Sequence, residues 1–453
     1  MATVETLSNE DERLPLILGF QRVAENTAQE TCFVDRGKGI YVYDTDGREY
    51  IEATSSFYVA ALGYQNEELI DAIYAQYREL PFYVSALKRT SKASLDLAER
   101  LAEMVPVPDT HIMFASTGSE ANDFMIKLLH FQAVTRGEPK RRTIIGRRDS
   151  YAGGTLGAAS LTGGHHEEFG LPLPGFRHVA QPDYHGARDP GETPDVYAAR
   201  LAAELATLID AEPTGSVAAM FAEPVSFSAG LMVPPANYFA AIKRVLDERG
   251  VCFVVDEVIT GFGRTGSMFG SASFELQPDH MTMAKAITGG YFPLSALALG
   301  ADLYSDLERG SDAVGTLAHA ATYAAHPVGA AAALKTIEII ERDGLVQNAQ
   351  RMGERLYARL ERLRDHPLVG DVRHVGLAGA VDFLRRDADD RPLNDDGEAV
   401  CQRVFRQLLA AGVVVRQTGR NIVIAPPLII KGSEVDEICD RLERALDAVV
   451  AES

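Results

Sequence analysis

Val251-Cys-Phe-Val-Val-Asp256 is a run of apolar residues closed by a carboxylate. A short run rich in β-branched residues reads as a buried strand. A helical repeat precedes it at 238–249, and a second apolar run lies before that at 217–222. Further upstream, a strand at 111–115 gives way to a helix at 120–134. Strands alternating with helices predict an α/β fold with a mostly parallel sheet covered by helices. Such sheets bind ligands at the carboxyl ends of their strands. Asp256 stands at such an end, as a ligand group or as a strand-end cap. If the strand runs on through Val258, Asp256 and Val258 share one face.

Downstream, Lys285 sits in Met283-Ala-Lys285-Ala-Ile-Thr-Gly-Gly290. Most lysines in such loops are solvated. Here the neighbours are small and nearly uncharged, which favours burial, and a buried lysine becomes an amine nucleophile. A reactive lysine plus a carboxylate for a protonated ring nitrogen is the minimum kit for pyridoxal 5'-phosphate (PLP) chemistry. Ser116-Thr-Gly-Ser119 parts a strand from a helix. It reads as an anion cradle of backbone N–H groups, or as a plain cap at Ser116 or Ser119. No Gly-Lys-Ser/Thr follows it, so it is not a P-loop. Tyr151, in Ser150-Tyr-Ala-Gly-Gly154, offers an aromatic face beside glycines. Arg416, closing the apparent strand 413–416, suits a carboxylate.

The 453 residues suggest two domains. A net charge of -20 argues against nucleic acid or an anionic membrane as partner. Cys32, Cys252, Cys401 and Cys439 are too scattered for a zinc site or disulfide framework. His165-His166-Glu167-Glu168 lies in a Gly-rich loop without a third ligand at helical spacing, so no metal is expected. The acidic, polar N-terminus lacks signal-peptide features and no apolar stretch is long enough for a bilayer, so a cytoplasmic location is expected.

Residues 39–53 alternate around Asp44-Thr-Asp-Gly47, a β-hairpin pattern. Helices are expected at 67–80 and 92–104. After Pro327, helices at 328–342, 346–364, 398–411 and 434–449 flank strands at 413–416 and 422–425, a smaller α+β unit. The hairpin is expected to join it, since a lone hairpin is marginal. The division is therefore 1–60, 61–325 and 326–453, the first and last forming the small domain.

Ser116-Thr-Gly-Ser-Glu-Ala-Asn122, Asp256-Glu-Val-Ile-Thr-Gly-Phe-Gly-Arg-Thr-Gly266, Ala284-Lys-Ala-Ile-Thr-Gly-Gly290, Thr322-Tyr-Ala-Ala-His-Pro327 and Pro426-Pro-Leu428 follow in order. The chain resembles the class III PLP-dependent aminotransferases along nearly its whole length, within them the ω-amine:pyruvate branch. The resemblance implies a fold-type I PLP-dependent transferase, a homodimer with shared active sites or a higher oligomer. It implies Lys285 as the Schiff-base lysine and Asp256 as the pyridinium partner. Tyr151 and Val258 would cover the ring faces; Thr117, Gly118 and Ser119 would hold the phosphate. Thr322 would reach the neighbouring subunit's cofactor. Glu223 matches a glutamate lining the site, and Tyr58 and Arg416 match substrate positions. Phe227, with Phe82 and Tyr83, is expected to add an apolar wall.

The substrates implied are a primary amine or ω-amino acid and a keto acid, with pyruvate the expected acceptor. Rival readings are a 2-oxoglutarate-dependent ω-amino-acid aminotransferase, a same-fold aminomutase, racemase or decarboxylase, and a PLP-fold protein without turnover. Ala152, where relatives usually carry histidine, Ala86, where they often carry an aromatic, and Val225-Ser-Phe-Ser-Ala-Gly230, in place of a Gln- and Gly-rich turn, are departures that bear on the substrate.

Overall fold

The apolar run from Val251 forms the strand Cys252–Asp256, at the centre of a seven-stranded sheet. The structure, a computed structural model, describes residues 13–164, 167–393 and 396–452. His165 and His166 of the expected loop cluster, and the acidic stretch 1–12, lie outside the described residues.

Across the large sheet the strands run His111–Ala115, Ser295–Leu299, His280–Met283, Cys252–Asp256, Val217–Ala222, Thr143–Arg147 and Phe176–Val179. Only Ser295–Leu299 runs against the rest. Both faces are covered by helices, so the strands need no polar face. All six residues of Val217–Ala222 are buried, which explains a sequence without alternation. The covering helices Gly118–Thr135, Pro194–Ala211 and Tyr238–Glu248 pack their apolar residues on that sheet.

The hairpin forms from Tyr41–Asp44 and Glu49–Glu52, with Gly47 at φ 81° accepting the left-handed turn. Its second strand pairs in parallel with Val413–Val414, so the two ends of the chain share one sheet. A third sheet contains Asp371–Val375, Ala378–Asp382, Asn421–Ile424 and Arg416–Thr418. The single strand expected at 413–416 is thus two strands in different sheets, divided at Val415. Four residues do not encode which partner each half meets; tertiary pairing with Ile51 on one side and Val423 on the other decides it. Among the described residues no helix is long and apolar enough to cross a membrane.

Candidate active site

Five parallel strands end at the same edge of the large sheet, and each delivers a polar group there. Ser116 follows His111–Ala115, Tyr151 follows Thr143–Arg147, Glu223 follows Val217–Ala222, Asp256 closes its own strand and Lys285 follows His280–Met283. A cavity of about 390 Å³ opens at this edge, with all five residues on its wall. A second groove, of about 870 Å³, lies between residues 182–194 and the strand Asp371–Val375. Its arginines are already committed: Arg188 to Asp390, Arg364 to Asp371 and Arg373 to Asp382.

Asp256 is 6 % exposed on the cavity floor. One carboxylate oxygen accepts from Asn122 Nδ2 at 2.9 Å, the other from the Val258 N–H at 2.9 Å. The second bond closes a tight turn, so the strand stops at Asp256 and does not continue through Val258 as expected. Val258 still lines the cavity because that turn folds it back over the opening. Asn122 is itself fixed: it donates to the Ala152 carbonyl at 2.8 Å and accepts from Thr282 Oγ1 at 2.9 Å. Burial raises the Asp256 pKa, opposed by the Asn122 and Val258 hydrogen bonds and the charges of Lys285 and Arg147.

Lys285 opens the short turn Lys285–Ile287 at φ 50°, a left-handed conformation costing roughly 1–3 kcal/mol for a residue with a Cβ. Burial lowers its pKa, while Asp256 and Glu223 pull the other way. An amine under the charge of two carboxylates on a cavity wall can exchange a proton with a bound molecule. Glu223 is buried, and burial pushes its pKa up to about 7 against the pull of Arg147. Its Oε1 accepts from Ser226 Oγ at 2.8 Å, and Ser226 accepts from Gln181 at 3.1 Å. Its Oε2 has no partner among the described residues.

At the opposite wall the helix Gly118–Thr135 points its N-terminus into the cavity. Its cap is Thr117, whose hydroxyl accepts from the Glu120 N–H at 3.1 Å; neither Ser116 nor Ser119 takes that place. Ser119 Oγ instead accepts from the Gly154 N–H at 3.1 Å. A Cβ on Gly118 would stand 3.0 Å from Val258 Cγ2, so a larger residue there would push these two walls apart. The free N–H groups and the helix dipole suit an anion here.

Tyr151 is half-buried, with its pKa raised by burial. Phe20 meets it edge-on at 6.1 Å and lies 6.3 Å from Phe57. Arg416 sits over Phe57 at 4.9 Å and Phe20 at 5.9 Å, with no carboxylate partner among the described residues. It begins the strand Arg416–Thr418 rather than ending the preceding one. Ser55 to Tyr58 all hold left-handed φ values, turning Phe57 outward and Tyr58 inward. The turn is tied by Ser55 Oγ, which donates to the Ala425 carbonyl at 2.7 Å and accepts from Arg264 at 3.1 Å.

One expectation changes. Phe227 is fully buried with Tyr58 edge-on at 5.0 Å, so it supports the wall and does not line the cavity. Thr322 is exposed and away from the cavity of its own chain, beside exposed Tyr323 and Phe82. Within the motif 256–266, only Asp256 among the charged residues faces the cavity floor. Glu257 accepts four bonds from Thr260, Gly270 and Ser271, and Arg264 donates to the Leu377 and Pro426 carbonyls. Asn122, Arg147, Phe20 and Phe57 escaped the sequence reading. Asn122 was legible as the residue one helical turn after Gly118, on the same face. Arg147 was legible as a charge closing an apolar strand, the same signal as Asp256.

The donor set fits a phosphorylated pyridine aldehyde: a half-buried lysine amine, a buried carboxylate at the strand end, an anion cradle and a buried carboxyl oxygen without a partner among the described residues. Residues 22–446 match the family model Aminotransferase class-III. The chain is 33 % identical over 447 residues to the putrescine–pyruvate aminotransferase of Pseudomonas aeruginosa, covering 97 % of this chain and 95 % of that protein. It is 34 % identical over 439 residues to the vanillin aminotransferase of Capsicum frutescens, covering 96 % and 94 %. The PMP-bound aminotransferase structure from Vibrio fluvialis superposes with a TM-score of 0.93 at 36 % identity, covering 97 % of each chain.

Proposed function

We propose, for a chain that belongs to the class III aminotransferases and uses PLP, that it moves the amino group of a primary amine or ω-amino acid to pyruvate by a ping-pong route. The observation that carries this reading is the meeting of Lys285, Asp256 and Glu223 at one sheet edge, opposite a helix N-terminus. PLP, when bound, supplies an electron sink and a carrier for the amino group. Asp256 would hold the proton on the ring nitrogen, with Asn122 keeping its carboxylate aimed. Thr117, Gly118 and Ser119 would take the phosphate, and Tyr151 and Val258 the two ring faces. Glu223 would accept from a hydroxyl at the ring edge, which its unpartnered Oε2 suits.

Lys285 is the proton carrier. Its amine would take the proton from the amine-bearing carbon of the donor, hold it and give it back, and would do the reverse for the keto acid. Its lowered pKa leaves more of the amine free to accept that proton. Arg416 would clamp the pyruvate carboxylate, and its lack of an ion-pair partner leaves it available. Tyr58, backed by Phe227, would shape the apolar side of the pocket. A homodimer would complete the site, with Thr322 meeting the partner's phosphate; its exposure beside Tyr323 and Phe82 supports that surface as the interface. Lys285→Ala tests the assignment. The variant should lose the cofactor's visible absorbance on dialysis and nearly all turnover; retained turnover would overturn it.

A further inference from the structure

Arg147 is a buried cation that the reading above does not use. Its guanidinium is 1 % exposed. Nη2 donates to the Glu223 carbonyl at 2.7 Å and stands 3.9 Å from Glu223 Oε1. Nε and Nη1 have no partner among the described residues. The buried Tyr238 phenol interacts with the same guanidinium by charge and by a side-chain hydrogen bond. A buried guanidinium whose Nε and Nη1 make no well-formed hydrogen bond is costly, and the Tyr238 phenol can serve only part of it, so a further acceptor is expected beside it.

A small recess of about 10 Å³ supplies the place. Arg147, Glu223 and Asp256 stand on its wall, together with Ala152, Ala222 and Gly146. The volume is at the lower limit for one water molecule, about 10–15 Å³. Ala152, Ala222 and Gly146 leave this room, and Ala152 is the lining position at which added volume tests it. Glu223 Oε2, assigned above to a ring hydroxyl, has no partner among the described residues and can accept from a second donor as well. An arginine short of acceptors and a carboxylate with acceptor capacity to spare thus line one water-sized gap.

We propose that this recess binds one buried water that joins Arg147 to Glu223 beside Asp256, making Arg147 a positioning residue for both carboxylates. The water accepts from the guanidinium and donates to the carboxylate, adding a hydrogen-bonded link to the loose 3.9 Å ion pair. Asp256 feels the same cation, together with Lys285 and Asn122; Glu223 feels Asp256 and Lys285. The inference rests on the roles given above to Asp256 and Glu223.

Ala152→Val and Ala152→Thr in the holoenzyme separate volume from hydrogen bonding. Both side chains fill the gap, but only threonine brings a hydroxyl that replaces the water. The valine variant should lose PLP affinity about tenfold, as expected for one bond to a charged group. Its pH midpoint for the cofactor's absorbance change should move upward. The threonine variant should stay within about threefold of the wild type, its hydroxyl standing in for the lost bond. Equal losses in the two would overturn the proposal. A wild-type holoenzyme crystal structure sharp enough for ordered water should show one molecule between Arg147 and Glu223; an empty gap would also overturn it. Either failure leaves the Lys285→Ala result standing, so the two readings are tested apart.

Discussion

Replacing Asn122 with alanine removes the one side chain that holds the carboxylate of Asp256 from within the helix. The lost bond, 2.9 Å from Nδ2 to the carboxylate, is charge-assisted and worth about 1.5–3 kcal/mol. That energy favours the ionised form, which is the form needed opposite a protonated ring nitrogen. PLP affinity should therefore fall by about 10- to 150-fold at neutral pH. The direction with pH follows from the same bond. Burial already raises the Asp256 pKa, and without Asn122 it rises further. The variant should regain affinity as pH increases, along a curve displaced upward from the wild type. A separate cost falls on folding, because the Ala152 carbonyl and the Thr282 hydroxyl lose their partner, for about 1–3 kcal/mol. Equilibrium dialysis against PLP over a pH series reads the first effect, and thermal unfolding of the cofactor-free protein reads the second. Wild-type affinity with an unshifted pH curve would refute the role given to Asn122 and weaken that of Asp256.

Glu223 makes a second test through stability. Its ordinary value of 4.5 is pushed up to about 7 by burial, so between these values the folded chain binds the extra proton. Stability of the cofactor-free protein should fall as pH rises across that window, by about 3 kcal/mol in total. Glu223→Gln should remove that decline, and melting curves from about pH 5 to 8 that decline equally in both proteins would contradict it. Arg416→Ala should raise the pyruvate KM about tenfold or more, as loss of a bond to a charged group requires. The KM of an apolar amine should not change. A normal pyruvate KM would remove the clamp.

The large sheet was legible because its strands are buried on both faces and its helices are amphipathic. Apolar runs such as 217–222 and 251–255 have one reading once helices are found between them. The site was legible where a charge interrupts such a run, as at Asp256, or where a lysine stands among small residues, as at Lys285. What escaped depends on contacts distant in sequence. Val415 divides two sheets because Ile51 and Val423 compete for its neighbours. Phe227 looks like a pocket aromatic in sequence, yet the left-handed turn 55–58 places Tyr58 over it. Arg264 and Glu257 share the motif of Asp256 but fix the loop instead, through bonds to residues 55, 377, 426 and 270–271.

The central claim is the transfer of an amino group from an amine to pyruvate at the Lys285 site. Its most direct measurement is alanine formation by the purified PLP-loaded protein, with a panel of diamines, ω-amino acids and arylalkyl amines as donors. Pyruvate and 2-oxoglutarate are offered in parallel. Alanine should accumulate in step with loss of the donor, and should be absent with Lys285→Ala. Glutamate formed from 2-oxoglutarate with no alanine from pyruvate would contradict the account, as would donor turnover that needs no acceptor.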